Sequence, residues 1–234
     1  VEPPSGAALT VIMVGLTVAT GVLDAVSFLA LGQVFTATQT GNLLFLGFGI
    51  AGQGGLPVAA TAVSIAAFLL GAALGARLES TLAAGQRPWF PAALVAEAAL
   101  LFGAAVAAWE GGPGPVLGRR HVVVALMAVA MGMRNVTSMR AAAPDLTTTV
   151  ETRAMAALAS ASLLGHDKKL GYGSHAGARR LASVTAMFAG GLLGAGLLGL
   201  GTRPTLVILL VAVFVAATAF MMYGLTHGRR SNGR

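Results

Sequence analysis

The 234-residue chain is 56% hydrophobic and only 10% charged, with mean hydropathy +0.81, whereas an ordinary soluble domain is roughly 25% charged. That balance excludes a soluble globular domain and points to one all-α polytopic membrane domain, residues 1–234, with room for about eight short-looped helical segments. The net charge of +7 comes from basic residues scattered at loop ends without interleaved aromatics, which fits membrane orientation rather than nucleic acid, and the absence of cysteine excludes disulfides, thiolate chemistry and sulfur-ligated metals.

The opening VEPPSG lacks the basic region of a signal peptide, and the apolar run behind it outlasts a cleavable core, so the first helix is expected to remain. Apolar segments are expected at 8–31, 41–52, 57–77, 90–109, 121–139, 149–164, 180–200 and 205–223. The second and sixth are short. Each is entered through a threonine-rich stretch, FTATQTGN or LTTTVETR, whose β-branched residues favour extended backbone and whose side chains suit a helix start. Such an element reads either as a hairpin between spanning helices or as a broken membrane helix whose half-helix amino terminus faces a cavity; the second is favoured because it occurs twice.

The recurrence is explicit in the letters. GVLDAVSFLALGQVFTATQTGN begins at Gly21 and GMRNVTSMRAAAPDLTTTVETR at Gly132, so an offset of 111 pairs Asp24 with Asn135, Ser27 with Ser138, Thr36 with Thr147, Thr38 with Thr149 and Asn42 with Arg153. Phe68, Gly71 and Gly75 are echoed by Phe188, Gly190 and Gly194 with a slip of about eight residues, which the 165–178 loop absorbs. Two homologous halves are expected, 8–109 and 121–223, with broken or short helices at their interface. If all eight segments cross the membrane from a cytoplasmic amino terminus, nine basic residues fall inside and four outside, which places both termini in the cytoplasm. Eight crossings make the repeat parallel, and an odd number per half makes it inverted.

Polar groups are costly in lipid, so those inside the apolar segments are the candidates for function. Asp24 and Glu97 are the acids most clearly within helices, each able to carry a proton or to serve as an ion-pair or hydrogen-bond partner. Arg134, one position before Asn135, either pairs with an acid across the internal axis or binds an oxyanion. Thr38, Thr40 and Asn42 at the first break, and Thr149, Thr152 and Arg153 at the second, offer hydroxyl, amide and guanidinium contacts to a solute or to the broken backbone itself. A single polar cavity holding Asp24, Arg134, Thr38, Asn42, Thr149 and Arg153 is expected. The four histidines have no metal-ligand spacing, and no nucleophile pattern such as G-x-S-x-G is present, so neither metal, cofactor nor enzymatic activity is expected.

At GVLDAVSFLALGQVFTATQ followed by TGNLLFLG, the chain resembles the YoaK-like family of uncharacterised bacterial membrane proteins, and MAVAMGMRNVTSMRAAAPDLTTTVETRAMAALA is similar to that family's second signature. The resemblance implies an integral inner-membrane protein with about six or more spans. It supplies no substrate and no catalytic residue.

The residues together point to a small secondary transporter or permease for a small polar organic solute, with an anion favoured by the two embedded arginines and proton coupling open. The alternative is a nontransporting membrane scaffold or sensor. Expected partners are the bilayer and a small-molecule solute, with homo-oligomerisation left open and no nucleic acid.

Overall fold

A computed structural model of the chain describes residues 6–109, 116–141, 151–160 and 176–231. These form eight helices: α1 (Ala7–Ala30), α2 (Gln39–Ile50), α3 (Val58–Ala84), α4 (Trp89–Trp109), α5 (Val116–Arg140), α6 (Glu151–Ser160), α7 (Ala176–Gly199) and α8 (Pro204–Ser231). Six of them are long and apolar enough to cross a membrane. The exceptions are α2 and α6, of 12 and 10 residues. At 1.5 Å of rise per residue, they reach about 18 and 15 Å, well short of a hydrocarbon core of about 30 Å. Among the described residues, the eight expected segments are thus six candidate spans and two short helices. The third segment also runs beyond its expected end at residue 77, which carries Glu79 into α3.

The most extensive helix pairings run across the middle of the chain. α1 packs on α7, α5 on α3, and α4 on both α8 and α5, while the short α2 and α6 lie on α3 and α7. Methionine, leucine, valine and alanine side chains of α1, α4, α5 and α8 fill most of the core. Without a hydrophobic drive between helices in lipid, the crossings depend on close backbone contact. A Cβ placed on Gly132 would collide with the carbonyl of Phe68, and one on Gly71 with the carbonyl of Val129. At the other crossing, a Cβ on Gly21 would strike the carbonyl of Met187 and one on Gly190 the carbonyl of Val18.

These contacts share one register. The α1 residues Val18 and Gly21 stand 111 positions before Val129 and Gly132, and the α3 residues Phe68, Gly71 and Gly75 stand 119 before Met187, Gly190 and Gly194. Met187, not Phe188, thus occupies the place of Phe68. The phenylalanine echo is one residue out of step, and Phe188 is exposed. Burial extends the correspondence to α4 and α8: Ala93, Leu94, Glu97, Ala98, Leu101, Ala104 and Ala105 are buried, and so is each residue 114 positions later, from Val207 through Ala219.

Candidate functional site

α1 carries a buried polar stripe, Thr17, Thr20, Asp24 and Ser27, at spacings of three and four that keep all of them on one face. Three of the hydroxyls bond their own helix, Thr17 to Met13 O, Thr20 to Leu16 O and Ser27 to Asp24 O. The helix then stops at Gly32, whose φ of +120° is a conformation few side chains permit. The chain then bends at Thr36 and Ala37, which lie against Asp24 of α1.

There the Asp24 carboxylate collects the loop. Its Oδ1 accepts from the backbone N–H groups of Thr36 and Ala37, both at 2.8 Å, and from the Thr36 hydroxyl at 3.2 Å. Its Oδ2 accepts from the Thr38 hydroxyl at 2.6 Å and the Thr38 N–H at 3.1 Å. Three amides that would otherwise lie unpaired beside the start of α2 thereby receive a charged acceptor, the favourable sign at a helix amino terminus. Asn42, fully buried, holds the same loop from the other side: its Oδ1 accepts from Phe35 N–H at 2.9 Å and its Nδ2 donates to Phe35 O at 2.7 Å. Ser64 of α3 also donates to Phe35 O, and it accepts from Asn42 and from Gln39. Phe35 stacks on Phe28 with ring centroids 4.9 Å apart, and Phe45 closes the cluster. A cleft of about 250 Å³ opens beside the pin, lined by Gly21, Asp24, Ala25, Phe28, Leu29, Phe35, Thr38, Met187 and Gly191.

A second polar centre lies where α1, α4 and α5 meet. Arg134 is buried and forms an ion pair with Glu97 of α4, while its Nη1 donates to Leu16 O and to the Thr20 hydroxyl, each at 2.9 Å. Its Nε, also buried, has no hydrogen-bond partner. A third centre joins α3 and α5: buried Glu79 accepts from the Thr137 hydroxyl and, at 2.9 Å, from Arg140 Nε. The Arg140 guanidinium also lies 5.8 Å from the centre of the Trp89 ring, on α4.

The expected single cavity is therefore resolved into parts. Asp24, Thr38 and Asn42 come together at the first break, whereas Arg134 takes Glu97 as its ionic partner because that acid faces it from α4 and Asp24 is already saturated with donors. Thr20 and Asp24, one helical turn apart, are the link between the two centres. Thr40 is exposed on α2, Thr152 is exposed on α6, and Asn135 is half-buried on α5. Thr149 and the side chain of Arg153 lie outside the described residues. Sequence reasoning missed Ser64, Phe35, Thr20 and Glu79. For Glu79 a signal existed, since Gly71, Gly75 and Glu79 follow one another at i+4 and so share a face.

Among the described residues, a bundle of helices, six of them long and apolar enough to span, with two short helices and buried charges, defines a multi-pass membrane protein. Residues 12–221 match the family described as "Protein of unknown function (DUF1275)", and the chain belongs to that family. It is 29% identical over 150 residues to the UPF0700 transmembrane protein YoaK of Bacillus subtilis (strain 168), a match covering 61% of this chain and 62% of that protein. No solved structure matches.

Proposed function

We propose that the protein is a small permease of the bacterial plasma membrane, built from homologous halves 8–109 and 121–223, that moves a small polar organic solute in a proton-coupled cycle. The shared glycine register supports the homology of the halves. Three long helices in each half, if all cross, bring the second half into the bilayer from the opposite face, so the repeat is inverted and its axis lies in the membrane plane. If all six cross, sequence order alone assigns Arg77, Arg87, Arg140, Lys168, Lys169, Arg179, Arg180, Arg229, Arg230 and Arg234 to one side and Arg119, Arg120 and Arg203 to the other. That asymmetry is steeper than the one for eight crossings, and it favours cytoplasmic termini.

The observation that carries the reading is the Asp24 pin. A buried carboxylate on an uninterrupted helix holds the three amides of a re-entrant segment, so the charge state of one atom pair sets how tightly that segment is held. Protonating Asp24 replaces charge-assisted bonds by neutral ones about half as strong and removes acceptor capacity at Oδ2, where the Thr38 hydroxyl must turn from donor to acceptor while the Thr38 N–H loses its anionic partner. The loop is then released from α1, and the cleft beside Phe28 and Phe35 changes shape. Deprotonation re-seats it. The preference for an anionic solute loses its main support, because Arg134 spends its charge on Glu97.

Purified protein in proteoliposomes tests the reading. Saturable solute uptake that responds to an imposed pH gradient, and is lost in Asp24→Asn, is the expected result. A pin that only stiffens the fold favours the scaffold or sensor instead, a reading supported by the five donors that already satisfy Asp24. Absence of saturable flux across cationic, neutral and anionic solutes would select it.

A further inference from the structure

We propose that the cleft beside Asp24 binds a small organic cation, an alkylammonium of a few carbons. The inference deepens the permease reading, on which its role in transport, though not its role in binding, depends.

Three acids are buried in the described helices, and they differ in what neutralises them. Glu97 faces Arg134, and Glu79 faces Arg140. Asp24 meets only amides and hydroxyls, with no cationic side chain bonded to it among the described residues. Dipoles spread its charge but do not cancel it. A carboxylate in a low-dielectric surround without a counter-charge attracts a cation more strongly than one in water does. Asp24 is also the one of the three acids that lines the 250 Å³ cleft.

The remaining walls suit an organic ammonium rather than a hydrated metal ion. Phe28 and Phe35 border the cleft as a stacked pair, and aromatic rings attract ammonium groups electrostatically. Leu29, Met187 and Ala25 offer an apolar surface to a short alkyl chain. The oxygens available to a metal are too few, since both Asp24 oxygens already accept bonds and Thr38 adds a single hydroxyl. An ammonium can take over the donor position of the Thr38 hydroxyl on Oδ2, and the freed hydroxyl then accepts from it. An anion finds a carboxylate and ring faces here, all of the wrong sign.

The test compares probes of similar size on the intact protein in nanodiscs: propylammonium, propan-1-ol and propionate, titrated by calorimetry. Propylammonium is expected to bind about tenfold or more tightly than either of the others. Asp24→Asn should abolish the difference. Because that change also loosens the loop, Gly191→Leu provides a second variant: Gly191 lines the cleft and a Cβ there meets no heavy atom within 4 Å, so a side chain can start into the cleft without striking the backbone, and the unfolding temperature checks that the rest is accommodated. It should weaken propylammonium about tenfold at an unchanged unfolding temperature. Equal affinity for the three probes, no binding of propylammonium, or binding untouched in Gly191→Leu overturns the proposal. Binding without flux retains the cation site and removes the permease, whereas saturable flux of an anion or neutral solute without propylammonium binding does the reverse.

Discussion

The two glycine crossings, α1 on α7 and α3 on α5, share a backbone register and differ in nearly every polar group around it. At α3 on α5, Glu79 joins Thr137 and Arg140 into a charged clasp. Their register mates at α1 on α7 are Leu198, Val26 and Leu29, all apolar. That second crossing instead borders the cleft and carries Asp24, where the first has Asn135. The same division recurs in the core, where the buried pair Glu97 and Arg134 corresponds to Val211 and Leu23. Backbone contact tolerates almost no change at the glycines, while the side chains flanking them are free to diverge. One crossing carries a charged clasp, and the other borders the cleft beside Asp24.

The largest expected effect tests whether the crossings are equivalent. Gly71→Val and Gly190→Val each push a branched side chain into a facing carbonyl, and each should cost about 3 kcal/mol or more, enough to lose monodisperse protein on size exclusion. If one is tolerated and the other is not, the shared register is not a shared constraint.

Next come the divergent pairs. Glu97→Val or Arg134→Leu alone leaves a buried charge unpaired and should destabilise by about 3–5 kcal/mol in chemical denaturation in detergent. The double replacement installs the residues of the other half and should recover most of that loss, as apolar substitutes for buried ion pairs often do. A double variant as unstable as the singles would show that the pair does more than satisfy itself.

Asp24→Asn keeps one acceptor oxygen but turns an amide NH2 toward a donor of the loop, a cost of about 1–3 kcal/mol confined to the break. The chain has no cysteine, so Ala37→Cys, at a buried position whose side chain makes no bond to Asp24, is a clean reporter. Its labelling rate should rise in the Asp24→Asn background, and an unchanged rate would deny that the carboxylate holds the loop. The smallest effect is expected at Arg140, whose side chain is one-third exposed. Arg140→Gln takes the cation from buried Glu79 but leaves it the Thr137 hydroxyl and an amide donor, and should destabilise by about 1–2 kcal/mol.

Much of this architecture was legible in the letters. The apolar runs located the helices, because a spanning segment must be apolar along its whole length, and the threonine stretch located the first break. Asp24 was legible as a functional candidate, and its partners lie only 12–14 residues downstream. The partner of Arg134 was not, since Glu97 reaches it from another helix, 37 residues away. Glu79 escaped because Arg77 read as the end of a span, although α3 continues for two more turns. The Phe68 echo failed for a different reason: outward-facing positions keep only hydrophobicity, so Phe188 drew the alignment one residue away from the glycine register.

The central claim is that the Asp24 pin moves while the clasp does not, and interspin distances measure it directly. One pair of spin labels, at Gln33→Cys and Leu69→Cys, spans the loop and α3; a second, at Met139→Cys and Leu74→Cys, spans the clasp. Acidification, or Asp24→Asn at constant pH, should shift and broaden the first distance distribution and leave the second unchanged. A first distribution that stays fixed under both, or two distributions that move together, would contradict the account.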